Sequence, residues 1–354
     1  LIFLSIVCAI SFIDTFRKGM LNGCDFQWQP SVLLWEGVNH YEKFITNGNW
    51  DFMCQGGQYS QLFHVILYPF TLFEWETAKR LWGVVNSFFT FAIAIILCKN
   101  FNISKYKSII LLLIFLTCYP TRMTINYGQQ SLFVLFFLIL PFIYKSNLAV
   151  IFGGLSSIKY STGYILFLDF IAKKQYKNFF LASILYILGW IIYFLYTGSD
   201  PIVNLFEPIE WSLQHGYRRD ADIYSLIQIY FVNDNKLFKY LALVSIFILN
   251  FLLILKINKV RDSFLKMSLI LICPLIFFPH SNYDYVLLFP LACYSLQNID
   301  ILLNKINFYF IIYFFYLSRQ VKHLINVDWF YQPLILVLIT TIVIYNIKLN
   351  SLKN

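Results

Sequence analysis

The chain begins with LIFLSIVCAISFIDTF (residues 1–16), which is apolar up to Asp14, as expected for the end of a membrane helix. Soon afterwards comes NGCDFQWQPSVLLWEGVNHY (residues 22–41), which places the carboxylate Asp25 beside Trp28, Gln27 and Gln29. The sequence thus predicts a helix that leaves the bilayer at a group of acidic, aromatic and amide side chains. We expect Leu1 to lie within a first helix whose true beginning is missing; a cleaved signal peptide is the alternative, but no small-residue cleavage site follows.

The composition excludes a soluble globular protein. The chain has 354 residues, of which 59% are hydrophobic and only 13% are charged, whereas soluble domains are about half apolar and about a quarter charged. The net charge of +9 has a simple cause, because lysine and arginine accumulate in the cytoplasmic loops of membrane proteins. No basic block with interleaved aromatic residues occurs, so we expect membrane lipid rather than nucleic acid as a partner.

Thirteen apolar runs follow one another along the chain. They cover 1–16, 61–73, 81–98, 108–120, 131–144, 148–158, 161–172, 178–196, 237–255, 265–278, 284–298, 306–317 and 333–347. The run 61–73 is short and carries His64 and Pro69, so we expect a surface-lying or re-entrant segment there. The remaining twelve predict an all-α polytopic protein with about 12 transmembrane helices.

The distribution of basic residues predicts the orientation. If 61–73 does not span and the first helix ends outside, the short loops 99–107, 145–147, 173–177, 256–266 and 299–305 and the C-terminal tail fall inside. Together they hold 14 of the 27 lysines and arginines, in agreement with the positive-inside rule. The long loops 17–60, 197–236 and 319–332 then face outward, and we expect the outer face of this single 1–354 domain to carry the function, with membrane-surface helices in the first outer loop.

Asp25 is the first candidate for chemistry. It could be a solvated carboxylate or a cap for the next helix. It could also be a general base for a sugar hydroxyl, which the neighbouring Trp28, Gln27 and Gln29 favour because aromatic faces and amides bind sugars.

Three cations are candidates for binding a phosphate. Lys159 interrupts VIFGGLSSIKYSTGYILFLDF (150–170) and is either a snorkelling lysine or a phosphate ligand. Arg122 in YPTRMTINYGQQ and His280 in FFPHSNYDY are predicted on the same outer face. His280 could instead form a hydrogen bond with Asp284.

No metal or nucleotide motif is present, so we expect neither a metal nor another cofactor. Five cysteines lie in or at the ends of apolar runs and are expected to be packing residues. Cys24 and Cys54 lie in the first outer loop. They either form a disulfide, which an oxidising compartment would allow, or remain two packed thiols.

The ordered set of these segments resembles glycosyltransferase family 87 of the GT-C superfamily, whose members use polyprenyl-phosphate sugars. The similarity runs through DFQWQPSVLLWEGVNHYE (25–42), QYSQLFHVILYPFTLF (58–73), NYGQQSLFVLFFL (126–138) and FPHSNYDYVLLFPL (278–291). Three positions depart from the family's pattern, namely His40, Ser131, and Ser161 or Thr162, where a proline often follows the lysine.

This resemblance implies a GT-C-like bundle and a hexosyltransferase, with mannose as the family default. It implies that Asp25 is the catalytic base and that His280 assists near the donor phosphate. The expected substrate-binding residues are Lys159, Arg122, Gln129, Trp28, Gln27 and Tyr59. The partners would be a polyprenyl-phosphate sugar donor and a lipid or glycan acceptor, at the outer side of a bacterial inner membrane.

A secondary transporter or a flippase remains the alternative, because twelve spans also suit that architecture. Such transporters show two similar halves and a site at mid-membrane. No internal repeat is visible in this sequence, and its polar residues cluster toward one face.

Overall fold

The computed structural model describes residues 2–47, 59–215, 222–225, 227, 236–317 and 335–342. These residues form helices joined by turns and loops, without any strand, so the all-α prediction is confirmed for them. The helices are α1 (Ile2–Asn22), α2 (Trp28–Trp35), α3 (His40–Asn47), α4 (Gln61–Ile66), α5 (Tyr68–Thr71), α6 (Trp75–Asn100), α7 (Lys105–Thr117), α8 (Tyr119–Tyr127), α9 (Ser131–Ile143), α10 (Asn147–Gly153), α11 (Tyr160–Ala172), α12 (Tyr176–Thr197), α13 (Pro201–His215), α14 (Lys236–Ile257), α15 (Ser263–Phe277), α16 (Phe289–Gln297) and α17 (Leu302–Tyr316). Residues 335–342 are also helical. The described residues include two 3-10 helices, Gly154–Ile158 and Asn282–Leu288.

Three of the described helices are long and apolar enough to cross a membrane, namely Trp75–Asn100, Tyr176–Thr197 and Leu237–Ile257. In the latter two, only 22% of the most apolar window is buried inside the protein. Large apolar side chains such as Phe180 on α12 and Ile248 on α14 are therefore exposed, as lipid-facing residues are. A fourth span arises if α7 and α8 together form one bent span.

The described residues do not confirm the count of twelve spans. Several predicted spans form helices of 13 to 15 residues, for example α9 and α15, which reach only about 20 Å at 1.5 Å per residue, less than the roughly 30 Å hydrocarbon core. The apolar run 148–158 is divided into α10 and a 3-10 helix. These short apolar runs form helices of about their own length and do not gain the flanking residues that a full span would need.

The segment 61–73 does not form a spanning helix, as expected. It contains α4 and α5, of six and four residues. His64 on α4 is buried, whereas Leu72 and Phe73 are exposed.

The described chain divides into two compact units. The first comprises Leu1–Ala92, Thr121–Phe167 and Tyr176–Gly216. The second comprises Ile93–Pro120, Leu168–Gln175 and Tyr217–Asn354.

In the first unit, α12 packs closely against α4 and α10. A Cβ atom added to Gly189 of α12 would lie 2.6 Å from the Cα of Leu62 on α4. A Cβ atom added to Gly154 would lie 2.0 Å from the carbonyl oxygen of Ala182 on α12. Because only glycine fits at either position, the first contact holds α4, and with it the segment 59–64, against α12, and the second holds the 3-10 helix Gly154–Ile158 there.

In the second unit, α15 forms the core and packs against α14 and α16. Its described side chains are almost all buried. Phe264 at its start stacks on Phe101 with ring centroids 3.6 Å apart, and Phe115 stacks on Phe289 at 3.8 Å.

The predicted start of the first outer loop, 17–60, is wrong, because α1 continues to Asn22. The rest of this loop contains the helices α2 and α3, and the second loop, 197–236, contains α13. The third, 319–332, lies outside the described residues. Cys24 is disulfide-bonded, so the alternative of a free thiol is wrong for this residue. Its proposed partner, Cys54, lies outside the described residues, and the other five cysteines are free and at least partly buried, as expected of packing residues.

Candidate active site

The loop that follows α1 is attached to the turn that follows α8. The backbone N–H of Asp25 donates to the carbonyl oxygen of Tyr127 at 2.9 Å. The Gln130 side-chain amide donates to the carbonyl oxygen of Asp25, also at 2.9 Å. These two hydrogen bonds hold Asp25 beside Tyr127 and Gln130, which lie more than 100 positions later in the sequence.

Gly128 makes this approach possible. Its φ of +69° lies in the left-handed region, and a Cβ atom there would lie 3.1 Å from the Cβ of Phe26. The indole N–H of the buried Trp82 donates to the carbonyl oxygen of Gly128 at 2.8 Å and fixes the turn. The Gly-Gln-Gln sequence at 128–130 therefore presents both glutamines to the Asp25 loop.

The Asp25 carboxylate is only 8% exposed and accepts a hydrogen bond on each oxygen. The Gln27 amide donates to Oδ1 at 2.9 Å, and the Gln129 amide donates to Oδ2. The Tyr59 hydroxyl in turn donates to Oε1 of Gln129 at 3.0 Å. The interpretation of Asp25 as a solvated carboxylate is wrong, because it is buried. It does not cap α2 either, because Gln27 is the N-cap residue of that helix.

Lys159 belongs to the same group. It follows the 3-10 helix Gly154–Ile158, and the backbone N–H of Ser60 donates to the carbonyl oxygen of Ile158 at 2.9 Å, which ties Lys159 to the segment that carries Tyr59. The lysine is half-buried, and its positive charge acts on the Asp25 carboxylate.

These surroundings determine the protonation of Asp25. Burial raises the pKa of its carboxyl from the ordinary 3.8 to about 7, while the hydrogen bonds from Gln129 and Gln27 and the charge of Lys159 act in the opposite direction. A carboxylate with a pKa near neutrality can both be ionised and accept a proton from a hydroxyl group. Because each carboxylate oxygen has two lone pairs and uses one on an amide, a lone pair remains for that proton.

Trp28 and Arg122 contact other parts of the first unit. The indole N–H of Trp28 lies 3.2 Å from the carbonyl oxygens of both Phe70 and Phe73. Arg122 donates from Nε to the Thr15 hydroxyl at 3.2 Å, on α1. Their roles in substrate binding stay predictions.

His280 belongs to the second unit. Its Nδ1 lies 3.1 Å from the carbonyl oxygen of Phe278, and because a carbonyl only accepts, Nδ1 carries the proton. Asp284, the alternative partner, accepts from the Ser281 backbone N–H in a capping box. The role expected for His280 near a donor phosphate stays a prediction.

Four residues around Asp25 were not predicted from the sequence, namely Ser31, His64, Trp82 and Gln130. His64 carried a usable signal, because a histidine within an apolar run is expensive to bury and is more often functional than a neighbouring leucine. The described residues contain no group of three or more His, Cys, Asp or Glu side chains that could hold a metal ion.

A comparison with protein-family models adds an independent finding. The model of glycosyltransferase family 87 matches residues 58–292, which is more than half of the chain. No curated protein and no solved structure matches. The match includes Tyr59, Arg122, Gln129, Lys159 and His280, and it begins after Asp25, Gln27 and Trp28. By this match, the chain belongs to glycosyltransferase family 87.

Proposed function

We propose that this glycosyltransferase is an integral-membrane hexosyltransferase. It moves a hexose, mannose by the family default, from a polyprenyl-phosphate sugar to a lipid-linked or cell-envelope glycan acceptor. The reaction takes place at the outer side of a bacterial inner membrane, in a GT-C-like bundle of about 12 spans. The outward orientation rests on the distribution of lysine and arginine among the loops.

The observation that carries this proposal is the environment of Asp25. A buried carboxylate held by two amide donors beside a lysine, with a pKa near 7, is suited to be a general base at neutral pH. Membership of the glycosyltransferase family favours this enzyme over a transporter, for which such a base has no evident use.

In the proposed step, an acceptor hydroxyl attacks the anomeric carbon of the donor sugar. Asp25 takes the hydroxyl proton on its free lone pair while the new carbon–oxygen bond forms. The bond between the anomeric carbon and the phosphate oxygen breaks, and polyprenyl phosphate leaves with the bonding electrons. This is a direct displacement, which inverts the configuration of the sugar.

Lys159 stabilises the departing phosphate in this proposal. Negative charge on the phosphate increases as the bond breaks, and a cation placed where charge develops lowers the barrier. Lys159 is already close enough for its charge to act on Asp25, so a single site can serve both the base and the leaving group. The reaction then needs no metal ion.

A lipid-linked donor agrees with the position of Asp25 in the chain. The residue lies three positions beyond the end of α1, where the sequence predicts that the chain leaves the bilayer. The sugar of a polyprenyl phosphate lies at this same boundary, since its lipid tail stays in the hydrocarbon and its phosphate stays at the surface.

A donor panel tests the proposal. Purified protein in lipid nanodiscs is incubated with polyprenyl-phosphate mannose, the corresponding glucose compound and nucleotide sugars, with a bacterial lipid extract as the source of acceptor. Release of polyprenyl phosphate that requires the lipid extract supports the proposal. Turnover with nucleotide sugars alone would refute the donor class, and solute uptake into proteoliposomes without any transfer would favour a transporter.

A further inference from the structure

The backbone of Gln27 adopts a conformation that its residue type seldom takes. Its φ of 65° and ψ of 29° place it in the left-handed region at the start of α2. Residues other than glycine, asparagine and aspartate are uncommon there, so surrounding contacts must hold the conformation. Since the Gln27 amide donates to Oδ1 of Asp25, whatever holds the Gln27 backbone also positions the carboxylate.

Ser31 supplies one of these contacts. Its hydroxyl donates to the carbonyl oxygen of Gln27 at 2.7 Å, and its backbone N–H donates to the same oxygen at 3.3 Å. Ser31 is fully buried, so water does not compete for the hydroxyl. The single hydroxyl proton of Ser31 is therefore committed to Gln27.

This commitment fixes the tautomer of His64. Nδ1 of His64 lies 3.2 Å from the Ser31 hydroxyl oxygen. Because that oxygen has already given its proton to Gln27, Nδ1 of His64 must carry a proton and donate it. Burial lowers the pKa of His64 to about 3, so the ring is neutral and holds its one proton on Nδ1.

A second chain of hydrogen bonds reaches the other carboxylate oxygen from nearly the same segment. The Tyr59 hydroxyl donates to Gln129, and Gln129 donates to Oδ2 of Asp25. The segment 59–64 is thus linked by hydrogen bonds to both carboxylate oxygens of Asp25. Tyr59 is linked to Oδ2 through Gln129, and His64 is linked to Oδ1 through Ser31 and Gln27. Packing of α4 against Gly189 of α12 keeps this segment in place.

We propose that His64 is a positioning residue for the transfer reaction, which holds the Gln27 amide on Asp25 by donating a hydrogen bond from Nδ1 to Ser31. The inference rests on the proposed role of Asp25 as general base. His64 does not exchange a proton with the substrate in this arrangement. It keeps the Asp25 carboxylate in one orientation and keeps the Gln27 amide donating a hydrogen bond to the ionised carboxylate.

The neighbours of His64 agree with a fixed, neutral ring. His40 lies at a centroid distance of 4.2 Å, edge to face, and Tyr41 and Tyr193 are the other titratable side chains in ring contact with it. Burial also lowers the pKa of His40 well below its ordinary value, so no positive charge faces His64 from these residues. At the Asp25 end of this chain of hydrogen bonds, the positive charge that acts on the carboxylate is that of Lys159.

The test follows the titration of Asp25 itself, which needs no substrate. The infrared absorption of its protonated carboxyl group is identified as the band lost in Asp25→Asn and is recorded against pH in nanodiscs. Loss of an amide donor removes stabilisation of the carboxylate, so Gln27→Leu and His64→Leu should each raise the pKa of Asp25 by about one unit. His64→Asn places an amide N–H where Nδ1 lies and should restore the wild-type titration.

Two further variants separate positioning from loss of packing. Val65→Ala removes apolar packing from the same helix at a residue outside the chain of bonds and should leave the titration unchanged. The double variant Gln27→Leu with His64→Leu should shift no further than Gln27→Leu alone, because both act through the same bond. If His64→Leu folds poorly, Ser31→Ala removes the same link.

The transfer rate gives a second readout. His64→Leu should lower kcat about tenfold with little change in KM, because substrate binding is untouched. The inference fails if His64→Leu leaves the Asp25 titration unchanged, or if its effect adds fully to that of Gln27→Leu. Full activity in Asp25→Asn would instead refute the proposed function, and the titration would still report on the positioning.

Discussion

The unfolding free energy of Asp25→Asn minus that of the wild type should increase as the pH rises. Burial raises the pKa of Asp25 from 3.8 to about 7, so between these values the folded protein binds one proton more than the unfolded chain. The wild type therefore loses stability over this interval and gains none of it back above pH 7. A rise of about three pKa units corresponds to about 4 kcal/mol.

The assay compares unfolding free energies of the two proteins in mixed micelles at several pH values. An asparagine does not titrate, so the stability of the variant minus that of the wild type should grow by about 4 kcal/mol from about pH 4 to about pH 8. Any constant penalty from the mismatched amide cancels in this comparison. Asp300→Asn, at an exposed carboxylate, is the matched control and should show no such trend. A difference that stays constant, or that shrinks as the pH rises, would refute the assignment of a destabilised buried carboxylate.

Three further predictions concern the pH profile, Lys159 and Cys24. Below pH 7, kcat/KM should fall about tenfold per pH unit, because only the ionised form of Asp25 accepts a proton; an acid limb near pH 4 in the pH–rate profile would contradict the raised pKa. Lys159→Ala should lower kcat by about 10²-fold through loss of charge at the leaving phosphate, whereas Lys159→Arg keeps the charge and should retain most of the wild-type kcat. Equal steady-state rates in the two variants would exclude this role. Cys24→Ser should lower the unfolding free energy by about 2–4 kcal/mol by removing the disulfide, and an unchanged melting temperature in non-reducing detergent would show that the bond adds no stability.

The sequence predicted the class of the fold better than the number of its spans. The runs 81–98 and 178–196 appear as the long helices α6 and α12 because an uninterrupted apolar stretch has no other way to satisfy its backbone in lipid. The run 148–158 is not confirmed as a span, because α10 and the 3-10 helix that it forms together reach only about 20 Å, less than the hydrocarbon core. Hydrophobicity reports which residues avoid water, and it does not report where a helix changes its hydrogen-bond pattern.

Part of the candidate site could also be predicted. Asp25, Gln27, Gln129, Tyr59 and Lys159 were recognisable as polar residues at the ends of apolar runs and through the resemblance, and the structure brings them together. Their separation in the sequence is bridged by the contact of the Asp25 loop with the turn at Gly128.

The link from Ser31 to His64 could not be predicted in the same way. It depends on the left-handed conformation of Gln27, which a glutamine does not signal. It also depends on α4 lying against α2, which is a matter of tertiary packing. Local sequence patterns contain neither kind of information.

The most direct test of the central claim is the rate of sugar transfer by Asp25→Asn. Purified wild type, Asp25→Asn and the control Asp300→Asn are compared in nanodiscs with saturating polyprenyl-phosphate mannose and lipid acceptor, and release of polyprenyl phosphate is measured in a single turnover. Loss of a general base predicts a rate about 10²–10⁴-fold lower in Asp25→Asn, with the control within about twofold of the wild type. A correctly folded Asp25→Asn protein that transfers sugar at the wild-type rate would contradict the account.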